Sequence, residues 1–343
     1  MPKEFWVTAP RTIEFRGYEE LPLQSGEVRL KSIMSGISHG TELNLYRGTT
    51  PFANQRFEMD NRLFLPGESR LSFPLQLGYE MVGEVTEVAP DVTTLKTGDL
   101  AHGYLRHRET NVARAENLVP LPGGMGVEDA MFIALSVVAL NSVHDAGVKL
   151  GDEVAVFGLG VIGLLVVQLA KLSGAAKVYA VDPIPKRCEK AKSFGADAVL
   201  NSRNLDVALE IKKQSERRGV DVSIECSGTY PALQEAIRSV RMAGKVVTLG
   251  YYQGGATPLN LGAEWHHNRI TMLASMGVWE CPHRCYPLWD YRRMKETALR
   301  LLTEKRVRTQ GFITHQFPFA KVQEAYELID HNAEEAIKVV ITY

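Results

Sequence analysis

Three glycines stand between an apolar, β-branched run and an apolar helical pattern in the stretch EVAVFGLGVIGLLVVQLAKLS. Gly158 permits a tight turn, Gly160 lets the backbone approach a pyrophosphate, and Gly163 lets the helix pack closely on the strand. The N-terminus of the helix then offers free N–H groups and a positive dipole end to phosphate groups. This arrangement predicts a dinucleotide-binding turn.

An acidic residue, Asp182, closes the next apolar strand, Lys177–Val181, at about the 20-residue offset that dinucleotide-binding folds show. A carboxylate at this position accepts hydrogen bonds from a ribose 2′-hydroxyl, and it repels a 2′-phosphate. The sequence therefore predicts NAD(H) as the cofactor in preference to NADP(H).

The elements that position these residues change character near residue 130. Before that point, short apolar strands such as Glu27–Ile33 and Glu80–Val88 alternate with Gly, Pro and Asp turns. After it, strands and helices alternate, which predicts an α/β fold with a doubly wound parallel sheet. The predicted strands of this sheet are Glu153–Phe157, Lys177–Val181, Asp197–Leu200, Asp221–Glu225, Lys245–Leu249 and Ile270–Ala274. The tail from residue 278 is predicted to return to the first domain, because the sheet is complete without it.

The composition is that of an ordinary globular enzyme, with 45% hydrophobic and 23% charged residues in a chain of 343. A formal net charge of −1 gives no electrostatic reason to expect binding to nucleic acid or to an acidic membrane surface. No apolar run reaches the roughly 20 residues that span a bilayer, and the first residues lack the apolar core of a signal peptide. Because that apolar core is missing, we expect a cytoplasmic protein. Four cysteines in a chain of this length do not indicate a disulfide framework.

Several motifs resemble those of the medium-chain dehydrogenase/reductase superfamily, the relatives of zinc alcohol and polyol dehydrogenases. SGISHGTELNLYRG at Ser35–Gly48 resembles the family's SGICGTDLHxxxG, and FPLQLGYEMVGEVTEV at Phe73–Val88 resembles its FPxxxGHExxGxVxxV. VDPIPKRCEKAKSFGAD at Val181–Asp197 resembles its VDxxxxRxxxAxxxGAD. The resemblance covers nearly the whole chain.

The resemblance implies a GroES-like β-rich catalytic domain, residues 1–130 and 278–343, plus a Rossmann cofactor domain with a doubly wound parallel sheet, residues 131–277. It also places Arg187 near the adenosine ribose of the cofactor. Cys226 opens a turn at the carboxyl end of a strand, where loops of such sheets meet the ligand. The remaining positions predicted to line the cofactor are Val161, Ile162, Leu249 and Gly250.

The departures from the family fall on its catalytic zinc site, whose ligands are a Cys in the GICGTD turn, a His in GHE and a further Cys or Glu before the cofactor domain. These positions hold Ser38 or His39, Tyr79 and Ile133 here, and aligning on the shared Gly-Thr pair selects His39. Tyr79 is a poor zinc ligand and Ile133 cannot bind metal. His39 and Glu80 alone leave zinc short of its three protein ligands. The family's four-cysteine zinc lobe is also missing, since Leu105–Asn117 has no cysteine, so we expect an enzyme without zinc.

Without a metal, a hydrogen-bond donor must stabilise the oxyanion that develops on the substrate. The candidates at the vacated zinc site are Ser38, His39, Thr41, Tyr79 and Glu80. The Tyr79 phenol can donate to an oxyanion and relay a proton, and His39 can act as an acid or a base. Tyr79 and His39 are therefore the first choices as catalytic residues, and Glu80 has either an orienting or a structural role.

The sequence thus predicts an NAD(H)-dependent oxidoreductase that interconverts a secondary alcohol (of a polyol, sugar derivative or secondary metabolite) and its ketone. Two alternatives stay open. The first is a zinc-free reductase of activated C=C bonds, although Asp182 and the GLGVIG turn depart from the pattern of those enzymes. The second is a nucleotide-binding relative without turnover.

The apolar, β-branched strand Ile270–Ala274 ends the predicted sheet, and an unpaired edge of this kind invites pairing with a second copy. The family resemblance implies the same edge-to-edge contact. We therefore expect a homodimer or a homotetramer that acts on a small-molecule substrate.

Overall fold

The computed structural model describes residues 1–50, 54–67, 72–277 and 281–343, which form two compact units. Unit 1 comprises Met1–Phe132 and Gln310–Tyr343, and unit 2 comprises Ile133–Thr309. The first boundary lies close to the one predicted at residue 130. The second lies at residue 309 and not at 277, because the helix Tyr291–Thr303 packs against the helix Ile133–Ala146 of unit 2.

The strands are β1 (Lys3–Ala9), β2 (Thr12–Gly17), β3 (Glu27–Gly36), β4 (Gln55–Glu58), β5 (Leu63–Pro66), β6 (Met81–Val88), β7 (Leu100–Gly103), β8 (Thr110–Arg114), β9 (Val119–Pro120), β10 (Glu153–Phe157), β11 (Lys177–Asp182), β12 (Ala198–Asn201), β13 (Val220–Glu225), β14 (Val240–Thr248), β15 (Thr271–Ala274), β16 (Ile313–Pro318) and β17 (Lys338–Thr342). The helices are α1 (Thr41–Arg47), α2 (Val127–Ala130), α3 (Ile133–Ala146), α4 (Val161–Leu172), α5 (Pro185–Ser193), α6 (Val207–Gln214), α7 (Tyr230–Ser239), α8 (Tyr291–Thr303) and α9 (Val322–His331). Among the described residues, none of these helices combines the length and apolarity needed to cross a membrane.

The main sheet of unit 1 has the strand order β16-β17-β3-β6-β7-β9, with β8 also paired to β3. The long strand β3 lies between β17 and β6 and pairs antiparallel with both. As a result, the carboxyl end of β3 has the first residues of β6 on one side and the first residues of β17 on the other. Three segments that are distant in sequence therefore meet at this end of β3.

Helix α9 closes the apolar core of unit 1. Its residues Val322, Ala325, Tyr326 and Ile329 follow the i, i+3, i+4, i+7 spacing of one helix face, and all four are buried. They pack with apolar residues of β1, α1 and β17 in one continuous cluster. This packing holds α1 and β17 together at the end of β3.

The strands of the unit 2 sheet are all parallel, in the order β12-β11-β10-β13-β14-β15. The chain leaves β10 toward β11 and β12 and then returns to β13 on the other side. The strand order therefore reverses between β10 and β13, and doubly wound sheets bind ligands at such a switch point. This confirms the predicted doubly wound parallel sheet, and the glycine turn follows directly on β10.

Some elements differ from those that the sequence predicts. β14 begins at Val240 and not at Lys245, because Val240 pairs with Val220 and an irregularity before the Val222–Lys245 pair absorbs the extra residues. The hairpins β1–β2 and β4–β5 and the helix α1 lie outside the predicted elements. These segments are short, and β2, β4 and β5 are largely exposed, so hydrophobic periodicity does not reveal them.

Candidate active site and dinucleotide-binding turn

The three glycines of the turn after β10 have different surroundings. Gly158 has φ +85°, and a Cβ on it would lie 2.7 Å from the backbone nitrogen of Ser227. A Cβ on Gly163 would lie 1.8 Å from the carbonyl oxygen of Gly158, so the start of α4 packs directly on the turn. A Cβ on Gly160 would meet no described heavy atom within 4 Å. Gly158 and Gly163 therefore permit close packing, and Gly160 leaves the approach to α4 open for a pyrophosphate.

Asp182 lies at the carboxyl end of β11, and its carboxylate is buried against the same turn. Its Oδ2 accepts from the N–H of Leu159 at 2.7 Å, and its Oδ1 accepts from the N–H of Ile184 at 2.8 Å. The guanidinium Nη1 of Arg187 lies 3.9 Å from Oδ2, and burial lowers the pKa of Arg187. Asp182 therefore ties the end of β11 to the glycine turn, with Arg187 beside it.

A buried carboxylate that the sequence reading missed, Glu225, shapes the turn after β13. It accepts from the N–H groups of Ser227 at 2.7 Å and Gly228 at 3.0 Å, and from the hydroxyls of Ser227 and Tyr252. Burial raises the pKa of Glu225, and these hydrogen bonds oppose the rise. With donors on both oxygens, Glu225 fixes the turn next to Gly158.

The predicted cofactor residues at the ends of β13 and β14 meet at this turn. Cys226 donates its N–H to the carbonyl of Phe157 at 2.8 Å, and burial raises the pKa of its thiol, which stays protonated. The N–H of Leu249 bonds to the carbonyl of Glu225 at 2.8 Å, and a Cβ on Gly250 would lie 2.1 Å from the nitrogen of Gly228. Gly250 therefore permits the two turns to touch. Val161 and Ile162 are the first two residues of α4.

The predicted catalytic residues come together in unit 1 through the pairing of β3 with β6. Gly36, at the end of β3, donates its N–H to the carbonyl of Glu80 at 2.9 Å. β3 then continues into the turn of Ser38 to Thr41, and Tyr79 and Glu80 lead directly into β6. Ser38 and His39 are half-buried, and Thr41 is exposed at the first residue of α1. Strand register thus brings two motifs together that lie about 40 residues apart.

Tyr79 is held at this point with its hydroxyl protonated. Burial raises the pKa of Tyr79, and the nearby carboxylates of Glu80 and Glu42 raise it further. The side chains of Ser38 and Thr41 lie beside the phenol and oppose this rise of its pKa. A phenol in this environment donates a hydrogen bond and does not act as a base, which favours its predicted role as a donor to a substrate oxyanion.

Glu80 forms a buried ion pair that the sequence reading did not include. The Nζ of Lys338, at the start of β17, lies 2.5 Å from Glu80 Oε2 and also donates to the carbonyl of Ile37 at 3.1 Å. The side chains of Glu80 and Lys338 are 0% and 3% exposed, respectively. Burial raises the pKa of Glu80, and the ammonium group opposes that rise. A Cβ on Gly36 would lie 2.6 Å from the Cε of Lys338, so the glycine makes room for this pair.

A second buried acid, Glu42, is held by two residues that sequence reasoning also missed. Its Oε2 lies 2.9 Å from the Nε2 of His107 and accepts from the hydroxyl of Tyr326 at 2.7 Å. All three side chains are buried. The candidate site therefore rests on two buried carboxylates, each with its own partners.

The donors at the family's zinc-ligand positions do not fit a zinc ion. Burial raises the pKa of Tyr79, so that the phenol keeps its proton, and Ile133 is an apolar, buried residue of α3. One oxygen of Glu80 pairs with an ammonium group, while its Oε1 has no hydrogen-bond partner among the described residues. Across the described ranges, no three His, Cys, Asp or Glu side chains are grouped so as to hold a metal ion. His39 and one carboxylate oxygen fall short of the three ligands that zinc takes.

The sequence of this chain is similar to known dehydrogenases. A zinc-binding dehydrogenase family model matches residues 161–291. The chain is 34% identical to the D-guloside 3-dehydrogenase of Escherichia coli strain K12 over 350 residues, which cover 99% of this chain and 100% of that protein. It is 32% identical to the (R,R)-butanediol dehydrogenase of Bacillus subtilis strain 168 over 273 residues, which cover 72% of this chain and 76% of that protein.

The fold is similar as well. The crystal structure of 2R,3R-butanediol dehydrogenase from Bacillus subtilis superposes with a TM-score of 0.81 and 25% sequence identity, over 100% of both chains. The folds of these two chains therefore match along their full length.

Proposed function

We propose a reaction for this chain, which belongs to the medium-chain dehydrogenase/reductase superfamily and is an oxidoreductase of the alcohol and polyol dehydrogenase type. It uses NAD(H) to interconvert a secondary alcohol of a polyol or sugar derivative and its ketone, without a catalytic zinc ion. One observation carries this proposal above all. At the position of the family's ligating histidine stands Tyr79, and the adjacent Glu80 forms a buried ion pair with Lys338.

NAD(H), when bound, accepts or returns the hydride of the carbinol carbon. The residues of the chain then bind the cofactor and orient the substrate. Gly160 and the N-terminus of α4 are suited to the pyrophosphate, and Asp182 to the adenosine ribose. Tyr79 donates a hydrogen bond to the substrate oxygen, where negative charge develops. The hydroxyl proton that the alcohol loses on oxidation passes to His39 of the adjacent turn, and His39 returns it in the reverse reaction. Ser38 and Thr41 lie beside the phenol, and Lys338 holds Glu80, the residue after Tyr79, in place.

The relatives support a hydroxylated substrate, since one is named a D-guloside 3-dehydrogenase and another a butanediol dehydrogenase. The test is a panel of glycosides, sugar alcohols and vicinal diols, offered with NAD while the absorbance of the reduced nicotinamide is followed. We expect reduction of NAD by at least one polyhydroxylated secondary alcohol. NAD binding without turnover on any alcohol or ketone would favour the non-catalytic alternative, and NADPH-dependent reduction of an enone in the same panel would favour C=C reduction.

The cofactor preference gives the first prediction. We expect the parent enzyme to bind NADH more tightly than NADPH, and Asp182→Ala to narrow the difference by about tenfold, because a like charge near a 2′-phosphate costs on the order of 1 kcal/mol. The change also removes the carboxylate that lies 3.9 Å from Nη1 of Arg187. Fluorescence titration with both reduced cofactors measures the effect. Asp182→Asn is the matched control for the loss of charge, since its amide oxygen still accepts one backbone N–H. Equal or tighter binding of NADPH by the parent would contradict the assignment.

The second prediction concerns metal content. Protein purified without chelator and without a nickel column is expected to hold less than one zinc ion per chain, because Tyr79 and Ile133 supply no zinc ligand. Elemental analysis of the dialysed protein decides this. One tightly held zinc per chain, removed only together with the activity, would show that His39 and Glu80 recruit a further ligand.

The third prediction concerns assembly. β15 is the last strand of its sheet, and its Met272 is 39% exposed. An apolar strand edge of this kind pairs readily with a second copy, so we propose a homodimer or a tetramer of dimers. Sedimentation velocity over a wide range of protein concentration measures the assembly. A species with monomer mass at every concentration would refute this proposal.

A further inference from the structure

A continuous chain of polar contacts runs behind the candidate active site of unit 1. His107 lies at its centre, with its Nδ1 2.7 Å from Ser35 Oγ and its Nε2 2.9 Å from Glu42 Oε2. The Ser35 hydroxyl lies 2.9 Å from the hydroxyl of Tyr343, so this chain of contacts extends to the residue that follows β17. Burying these polar groups is costly unless each is paired, and the mechanism above uses none of them.

We propose that His107 is a positioning residue of this site, which holds the turn from Ser38 to Thr41 against the Tyr79 phenol through Glu42. The proposal rests on the proposed function, since it takes Tyr79 as the donor to the substrate.

The backbone of His107 is attached to the segment that carries Tyr79. Its N–H donates to the carbonyl of Leu77 at 3.0 Å. Gly78 has φ +108°, and a Cβ on it would lie 2.4 Å from the nitrogen of His107, so the two backbones touch. The position of Tyr79 is therefore set relative to the backbone of His107.

The ring of His107 is attached to the other half of the site. It bonds to Glu42, and the N–H of Glu42 donates to the carbonyl of Ser38 at 3.2 Å while its Oε1 faces the N–H of Ser38 at 3.4 Å. The N–H of Thr41 in turn faces the Oγ of Ser38 at 3.4 Å. Glu42 thus closes the turn whose Ser38 and Thr41 lie beside the Tyr79 phenol. His107 therefore contacts the Tyr79 segment through its backbone, and through its side chain it contacts Glu42, which closes this turn.

The contacts of His107 with both parts of the site affect the reaction, because the hydrogen-bond donor to the substrate must be placed accurately. A donor that stabilises an oxyanion loses much of its effect when it moves by about 1 Å. The charged and titratable groups that face Tyr79 or its carboxylate neighbours are Glu42, Glu80, Lys338, His107, Tyr326 and Tyr343. A shift of Glu42 therefore changes both the position of Ser38 beside the phenol and the negative charge near it.

Two substitutions separate the two contacts of the imidazole. The amide nitrogen of glutamine reaches the place of Nε2, so His107→Gln keeps a donor for Glu42. The shorter His107→Asn places its amide near Nδ1 and leaves Glu42 without that donor. Both variants lose the stacking of the ring on Phe5, whose centroid is 5.8 Å away, so they are matched for the loss of apolar contact.

We expect His107→Asn to lower kcat about tenfold, with KM and the NAD dissociation constant within a few-fold of the parent, and His107→Gln to keep most of the turnover. A primary isotope effect on kcat with carbinol-deuterated substrate should rise in His107→Asn, because hydride transfer becomes slower relative to product release. In the double variant His107→Asn with Glu42→Gln, the losses should not multiply, because both changes act through one contact.

Three outcomes would overturn the proposal. The first is equal turnover in His107→Asn and the parent. The second is equal losses in both His107 variants that follow the fraction of folded protein, since that is the mark of a merely structural role. The third is a double variant in which the two losses multiply. A parent enzyme without activity on any alcohol or ketone is a different result, which overturns the proposed function itself.

Discussion

Replacing Tyr79 by phenylalanine is expected to lower turnover about 10²–10³-fold, the usual cost of removing one donor to a developing oxyanion. The phenol is the protonated donor that stands in the place of the family's ligating histidine, and Phe keeps its ring but not its hydroxyl. The NAD dissociation constant should change little, because the residues assigned to the cofactor lie in unit 2 and Tyr79 lies in unit 1. Steady-state kinetics and cofactor titration on the same preparation measure both quantities.

The matched control for this change is Tyr104→Phe, at a tyrosine of the same unit that is 52% exposed. It should keep parent turnover. His39→Ala belongs in the same experiment, since His39 shares the turn with Ser38 and was predicted as an alternative acid or base. If Tyr79→Phe and His39→Ala both retain turnover within a few-fold of the parent, neither residue polarises the substrate.

Replacing Lys338 by methionine is expected to destabilise the protein by about 3–5 kcal/mol, since it leaves a buried carboxylate without its partner. The Nζ lies 2.5 Å from Glu80 and both side chains are buried. Urea unfolding of the parent and the variant measures the difference. Lys321→Met is the control, because the ion pair of Lys321 with Glu324 is more than half exposed on both sides, and such pairs contribute about 0–1 kcal/mol.

The stability lost by Lys338→Met should depend on pH with a defined sign. Burial already raises the pKa of Glu80 above the ordinary value of 4.5, and removal of the ammonium raises it further. The folded state then holds a proton that the unfolded state has released, so stability falls as pH rises from 4.5 through the raised pKa. The deficit should therefore be smaller at acidic pH than at neutral pH. Adding Glu80→Gln should recover much of it, and an unrecovered, pH-independent deficit would contradict the role given to this pair.

The glycine turn and its surroundings could be predicted from the sequence because the signals there are local. The strand, the turn and the helix follow one another within about 20 residues, and Asp182 ends the next strand. Each glycine has a steric or binding reason that holds whatever the rest of the fold. The predicted bounds of β10 agree with the structure.

The partners of the candidate catalytic residues could not be predicted in this way. Lys338 meets Glu80 across 258 residues, and Tyr326 meets Glu42 across 284, so only the pairing of β17 with β3 and the packing of α9 brings them together. One signal was present. Lys338 interrupts the apolar run AIKVVIT, and a lysine in a buried strand requires an anionic partner. His107 carries no comparable signal, because its segment is polar and without regular structure in the sequence pattern.

The most direct test of the central claim follows the hydride itself. A secondary alcohol deuterated at the carbinol carbon is mixed with NAD and with protein that has been treated to remove zinc. The residual zinc content is measured on the same protein sample. Mass spectrometry then detects the label in the reduced nicotinamide. The proposed mechanism predicts one deuterium per reduced nicotinamide and an equal amount of ketone, formed at the same rate with and without added zinc. Two results would contradict it: label transfer that occurs only after zinc is added, and the absence of label transfer from every polyol and glycoside tested.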